Sequence, residues 1–260
     1  MTGEALVLRQ DSEGIAHLTL NRAKAYNALS LDCMQALIQQ LQILSEDKTI
    51  KVVILSGAGN GFCAGHDLRE MNANPSEDFY QTTFSTCAEL MSLIQQIPQP
   101  VIAQVHGIAT AAGCQLVATC DLAYAADNAR FSTPGVNIGL FCSTPMVALT
   151  RAVHRKQAME MLLTGEMINA ERAVNIGLVN ATVPEEQLAD EVLRVAQIIA
   201  AKSSYTLKVG KEAFYQQAEM NQQQAYAHCS RVMTENMLAQ DAQEGIDAFL
   251  TKRSPCWQGR

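Results

Sequence analysis

The chain has 260 residues, 48% hydrophobic and 17% charged, with a formal net charge of −7. That length allows one large domain with a full core. An acidic balance without a basic cluster argues against nucleic acid or an anionic membrane surface as a partner, and no apolar run reaches the length of a membrane span. An anionic ligand stays compatible, because local cations and helix N-termini hold anions against an overall negative charge.

In chain order, Ala5 to Arg9 and Ile15 to Asn21 read as a hairpin around Asp11-Ser12-Glu13-Gly14. Leu31 to Leu44 carries apolar residues at helical spacing (Met34, Leu37, Ile38, Leu41), with Ser30 as its N-cap. Lys51 to Ser56 reads as a buried strand. Asn74-Pro75-Ser76 breaks the chain before a helix that runs to about Gln96, where Pro98 and Pro100 end it. Val101 to Val105 is a further strand, Thr110 to Cys120 a helix, and Leu122 to Ala126 and Ala129 to Ser132 short strands. From Ser143 the pattern is mostly helical, with helices over Arg155 to Leu163 and Ala170 to Asn175 and a strand over Leu178 to Val183. Pro184 opens a helical region to about Lys252. With no linker-like stretch, the expectation is an α/β core over 1–200 and a C-terminal helical extension of the same domain over 201–260. That extension docks on a neighbouring subunit or packs on its own core.

The eight cysteines, at 33, 63, 87, 114, 120, 142, 229 and 256, form no Cys-x-x-Cys pair. Cys63-x-x-His66 is a lone half-site, so no metal is expected. Most of these cysteines sit in apolar runs, as buried free thiols do in a reducing compartment. The start, Met1-Thr2-Gly3-Glu4-Ala5, has neither a signal-peptide core nor an Arg-rich transit pattern. The expected location is the cytoplasm, with the mitochondrial matrix as the option for a processed chain.

Two stretches carry the chemistry: Phe62-Cys63-Ala64-Gly65-His66-Asp67-Leu68 and His106-Gly107-Ile108-Ala109-Thr110-Ala111-Ala112-Gly113-Cys114-Gln115-Leu116. Each follows a buried-strand pattern and passes through small residues into a helix. Small residues leave backbone N–H groups uncovered, and two such groups together hold one oxyanion. Gly57-Ala58-Gly59-Asn60-Gly61 mimics a dinucleotide-binding loop, but its spacing is not G-x-G-x-x-G. His17, His106, His154 and His228 share no motif and read as structural.

The order of several motifs resembles the enoyl-CoA hydratase/isomerase (crotonase) superfamily nearly end to end. Asn21-Arg22-Ala23-Lys24-Ala25-Tyr26-Asn27-Ala28-Leu29 resembles N-R-P-x-x-x-N-A-L, Phe62 to Leu68 resembles F-x-A-G-x-D-L, and His106 to Leu116 resembles N-G-x-A-x-G-G-G-x-E-L. Cys120-Asp121-Leu122, Thr164-Gly165-Glu166 and Ala173 to Val179 resemble later family elements. Thr133 to Asn137 and Gly139 to Pro145 are similar to one group within it.

The resemblance implies a crotonase-like β-β-α spiral with two sheets and C-terminal helices that form homotrimers or homohexamers. It implies an acyl-CoA thioester as the ligand, coenzyme A being part of the substrate and no cofactor permanently bound. The thioester oxygen would accept from the N–H groups of His66 and Ala112. Ala25, the Ala64 backbone and Leu68, next to Asp67, would line the adenine and pantetheine, and Arg22 and Lys24 would meet phosphates.

The two glutamates of family hydratases fall at Gln115 and Gly135, and the isomerase carboxylate near Ser143, with no carboxylate between Asp127 and Glu160. Efficient hydration by the two-glutamate route is therefore not expected. Four local candidates remain. The His66 ring acts as an acid or base, or its side chain turns toward the adenine region or the core. Cys142, with Ser143 and Thr144, supplies a nucleophile or simply caps the following helix. Gln115 bonds a water or an acyl carbonyl, or is a satisfied buried amide. Gly135 leaves a gap with room for bicarbonate as base, as in the related naphthoate synthases. An enzyme stabilising a thioester enolate is the leading reading, and an acyl-CoA binding protein that lost the chemistry is the alternative.

Overall fold

A computed structural model describes residues 4–260; Met1 to Gly3, the start of the segment read for targeting signals, lie outside the described residues. The larger sheet has six strands in the order β1-β2-β3-β4-β6-β9: β1 (Val7–Ser12), β2 (Ile15–Leu20), β3 (Val52–Gly57), β4 (Val101–Val105), β6 (Leu122–Ala126) and β9 (Ala181–Val183). Only the β1–β2 pair is antiparallel. The smaller sheet is β5 (Ile108–Thr110), β7 (Arg130–Ser132) and β8 (Ile168–Asn169), with β5 and β7 parallel.

The chain alternates between the sheets. β4 feeds β5 and then helix α4 (Ala112–Thr119); β6 feeds β7 and then α5 (Ser143–Ala152) and α6 (Arg155–Thr164). The turn before them is incomplete. β3 leads to a single bridge, Cys63 with Ala109, and then to α2 (Leu68–Ala73) and α3 (Glu77–Gln96). This is the expected β-β-α spiral.

The period of two along the parallel strands splits their apolar residues between two cores. Val53 and Leu55 of β3, Val101 and Ala103 of β4 and Leu18 of β2 face the main core with Met34, Leu37 and Leu41 of α1 (Leu31–Glu46) and Leu90 and Ile94 of α3. Val52, Ile54 and Ile102 face the other way, where Leu188, Val192 and Ala196 of α8 (Leu188–Ala200) cover them. Ser30 caps α1 by accepting from the Cys33 N–H at 3.2 Å, and Ser76 caps α3.

Helix α7 (Ala170–Asn175) lies between the last two strands. The C-terminal helices are α9 (Ser204–Ala218), α10 (Gln222–Leu238) and α11 (Gln240–Thr251). Lys211 of α9 ties this region to the core: its Nζ lies 2.7 Å from Asp121 and donates to the carbonyls of Ile94 and Gln99.

Three boundaries differ from the sequence reading. The hairpin turn is shorter than expected: β1 runs to Ser12, and Glu13 and Gly14, both at positive φ, turn the chain alone. The helix expected from Thr110 is instead strand β5, then Ala111 at φ 50°, then α4. Ile108 to Thr110 pair with β7, and tertiary pairing overrides the helical look of an alanine-rich run. The strand expected from Leu178 begins at Ala181, because Gly177 at φ 83° is still turning the chain.

Candidate active site

The site is built from two lengths of backbone laid side by side. Cys63 N–H donates to the Ile108 carbonyl (3.1 Å) and Thr110 N–H to the Cys63 carbonyl (2.9 Å). On the opposite edge, Leu29 N–H donates to the Gly65 carbonyl (2.7 Å) and Asp67 N–H to the Leu29 carbonyl (3.1 Å). A parallel bridge of this kind uses the groups of residues 65 and 67 and turns the N–H of His66 away from Leu29. That N–H has no acceptor among the described residues.

The second donor comes from the start of α4. Ala111 donates its own N–H to the Ser132 carbonyl at 2.9 Å and bends sharply at φ 50°, ψ −118°. Ala112 is the first residue of the helix, no side chain caps it, and its N–H also has no acceptor among the described residues. The segments that carry these two N–H groups pack closely. A Cβ on Gly65 would lie 3.2 Å from the Ala112 nitrogen, and one on Gly113 only 2.0 Å from the Cys63 carbonyl oxygen. The partial positive charge of the α4 N-terminus acts at the same point.

A framework of paired polar groups fixes this loop system. Asn27, fully buried at positive φ, donates to the Ala58 and Gly61 carbonyls (2.9 and 2.8 Å) and accepts from Arg22 N–H. The Arg22 guanidinium pairs with Asp67 at 2.7 Å and donates to the Ala28 carbonyl. Asp67 also accepts from the N–H groups of Arg69 and Glu70 as N-cap of α2. Burial acts to raise the Asp67 carboxyl, but Arg22 and these N–H groups outweigh it and hold it below its usual range. The polar groups of Arg22 and Asp67 are thus engaged with each other and with the loop backbone. Lys24 is exposed on the short turn Ala23–Ala25, and Leu68 is 53% exposed. Ala25 is half-buried on that turn. Both backbone groups of Ala64 are used, by Tyr26 O and by the Thr110 hydroxyl.

His66 turns its ring edge-on to Phe84 of α3, with centroids 5.4 Å apart. Its Nε2 is enclosed without a partner among the described residues, and burial pulls the ring down to about 4. At neutral pH the ring is uncharged, and it packs against Phe84, which is itself part-exposed. The Gln115 side chain is buried, and its Oε1 lies 3.8 Å from the Cys87 thiol of α3.

The gap expected at Gly135 is closed on the side a Cβ would occupy. An added Cβ would meet the Leu140 carbonyl oxygen at 2.6 Å and Cys142 Sγ at 2.9 Å. Cys142 itself is the residue before α5; its thiol is buried and raised by burial, against the Gly135 N–H, and no base adjoins it. Ser143 begins α5 and bonds locally to the Phe141 carbonyl. No side-chain hydrogen bond caps the start of α5, so the capping reading is not met by these two residues either.

Phe84, Cys87 and the strained Ala111 were not found from sequence. Phe84 and Cys87 carry only the apolar spacing of any core helix. Ala111 carried one signal, since it stands where the resembled motif has glycine. The Gly57 to Gly61 stretch that mimicked a nucleotide loop leads into no helix before Leu68 and is held by Asn27 and by His106 Nε2 on the Gly59 carbonyl. Surface cavities lie elsewhere, between the end of α3 and α9, beside Asp121 and Lys211, and at the start of α3 around Asn74 to Thr82.

A β-β-α spiral with two unpartnered main-chain donors at the meeting of these segments is the arrangement of an enoyl-CoA hydratase/isomerase, and the chain belongs to that family, whose model matches residues 10–260. More particularly, it is 48% identical over 252 residues to "Enoyl-CoA hydratase domain-containing protein 3, mitochondrial" of Xenopus laevis, covering 97% of this chain and 86% of that one. To the human protein of that name it is 46% identical over 245 residues, covering 94% and 81%. Among solved structures, an enoyl-CoA hydratase of Mycobacterium smegmatis superposes with a TM-score of 0.96 at 49% identity, covering 98% and 99%. The human enoyl-CoA hydratase domain-containing protein 3 superposes at 0.94 and 45%, covering 97% and 100%. The crotonase fold and the likeness to that group, expected from the motifs, are thereby established.

Proposed function

We propose that this chain is an acyl-CoA-processing enzyme that stabilises a thioester enolate on the N–H groups of His66 and Ala112, with Gln115 and Gly135 in place of the two family glutamates. One observation carries the reading: two main-chain donors free of internal acceptors, on segments so close that a Cβ added at Gly65 would lie 3.2 Å from the Ala112 nitrogen. Deprotonation next to a thioester becomes accessible once the enolate oxygen is held, and each donor is worth about 10²–10³ in rate. Neither Gln115 nor Gly135 titrates, so fast hydration of a 2-enoyl thioester is not the activity. Lys24, exposed on its turn, is left to meet the phosphates, with Ala25, Ala64 and Leu68 beside the rest of the coenzyme A moiety.

The alternative, an acyl-CoA binding protein without turnover, is favoured by the neutral, enclosed His66 ring. Incubation with crotonyl-CoA separates the readings. Hydration within a hundredfold of a two-glutamate enzyme refutes the assignment of Gln115 and Gly135. Any slower turnover should disappear in Ala112→Pro, which removes one donor at a helix position that tolerates proline. Calorimetric silence toward every coenzyme A ester refutes both.

The assembly proposed is a homotrimer or homohexamer built with 201–260 as part of the same domain. In its support, α10 buries no residue within the chain, while Phe214, Tyr226, Met233, Leu238, Phe249 and Leu250 stand exposed on the C-terminal helices. The mitochondrial names of the vertebrate relatives favour the matrix over the cytoplasm first expected.

A further inference from the structure

We propose that Gln115 makes the acyl end of this site a hydrogen-bond donor, selecting coenzyme A thioesters that carry an acceptor oxygen on C3, either a 3-oxo group or a carboxylate. The inference rests on the acyl-thioester reading above and specifies its substrate class. Gln115 lies three residues beyond Ala112 on α4, and helical side chains tilt toward the N-terminus, so it leans toward the first turn, whose N–H is assigned to the thioester oxygen. Its amide is oriented by one neighbour. The Cys87 thiol, wholly buried and pushed up to about 12 by that burial, keeps its proton and donates to Gln115 Oε1 at 3.8 Å.

The opposite flip would set the strong N–H donors against sulfur, a weak acceptor, and is disfavoured. With the oxygen turned to Cys87, Nε2 points elsewhere. It has no partner among the described residues, and it is absent from their fully enclosed unpartnered atoms, so the 4% of Gln115 that remains accessible includes it. A glutamate at this place would present oxygens; Gln115 presents two N–H bonds.

The surroundings suit an acceptor on the ligand. Residues 83–87, 111–116 and 131–144 contain no carboxylate, so an anionic C3 substituent meets no like charge from these segments. The nearby thiols of Cys87 and Cys142 are protonated and the His66 ring is neutral. An alkyl or enoyl chain would displace water from Nε2 and offer nothing in return, which costs about tenfold in affinity.

Calorimetry on the full chain with acetoacetyl-CoA, malonyl-CoA and butyryl-CoA tests this. At least one of the first two should bind about tenfold more tightly than butyryl-CoA. Preference for acetoacetyl-CoA alone identifies a 3-oxo ligand, and preference for malonyl-CoA alone a carboxylate. The ratio should fall to about one in Gln115→Leu, with Gln115→Met as the second variant should the first not fold. It should shrink severalfold in Cys87→Ala but survive in Cys87→Ser, which restores a donor. Equal affinities in the unaltered protein, or a ratio that persists in the Gln115 variants, overturn the proposal and leave the acyl-thioester reading standing. Silence toward all three ligands overturns both.

Discussion

The contact between the two oxyanion segments is open to a direct energetic test through Gly65 and Ala111. Gly65 sits at φ +96°, a conformation that L side chains rarely adopt, and its added Cβ would lie 2.8 Å from Ala111 Cβ, 3.0 Å from the Thr110 oxygen and 3.2 Å from the Ala112 nitrogen. Gly65→Ala therefore combines backbone strain of about 1–3 kcal/mol with overpacking of about 1–3 kcal/mol, and should destabilise by about 2–6 kcal/mol. Ala111→Gly works in the other direction. It releases an alanine held at φ 50°, a gain of about 1–2 kcal/mol reduced by roughly 0.5–1 kcal/mol for the extra freedom of glycine in the unfolded chain. In the double variant the shortest clash, Cβ on Cβ, is gone, while those with Thr110 O and Ala112 N remain. The pair should thus couple by about 1 kcal/mol or more, the double variant being more stable than the sum of the singles. Urea midpoints at constant slope measure the cycle. Additivity within about 0.5 kcal/mol would mean that the Gly65 and Ala111 segments do not touch, and the paired-donor geometry would fall with it.

Three other outcomes are expected. Gly135→Glu, alone or with Gln115→Glu, should destabilise by about 1–3 kcal/mol and yield no hydratase, because its Cβ meets the Leu140 carbonyl at 2.6 Å as well as Cys142 Sγ at 2.9 Å; robust crotonyl-CoA hydration by the double variant would show that the Leu140 loop gives way freely. His66 is held at about 4 in the fold, below the ordinary 6.5, so the unfolded chain takes up the proton first. Its contribution is fully present above about pH 6.5 and drains away as pH falls toward about 4, by on the order of 3 kcal/mol. Urea midpoints at pH 7 and pH 4.5 should therefore converge in His66→Leu relative to the unaltered protein, and parallel losses in both would refute a buried neutral ring. Lys211→Met should cost about 3–5 kcal/mol by leaving Asp121 unpaired beneath α9, while Lys211→Met with Asp121→Leu recovers part of it; a single-variant loss below about 1 kcal/mol would mean that this ion pair does not fasten the C-terminal helices.

Where the chain could be read and where it could not follows from the range of the interactions involved. Strand β3 was legible because Val52 to Leu55 form one apolar run, and both its faces are buried. The starts of α1 and α3 were legible because a serine cap acts within three residues. Strand β5 was not, since Ile108 to Thr110 are only three residues running into alanines and are extended through partners at Cys63 and in β7, distant in sequence.

The same division runs through the site. The segments proposed to supply the donors could be picked out because small residues leave a backbone uncovered, and the chain has such residues at 64–65 and at 111–113. What the side chains do was not. The resemblance could mark Gln115 as standing where the family has glutamate, but its contact with the Cys87 thiol comes from 28 residues away on another helix. Gly135 reads as an absence in the sequence, yet the space beside it is taken by the Leu140 carbonyl and the Cys142 sulfur. A deleted side chain becomes a functional vacancy only where the neighbours fail to move in, and here they have. On the proposed assignment of Gln115 and Gly135, installing an acid and a base therefore requires rebuilding the loop over residues 139–142 as well as changing those two positions.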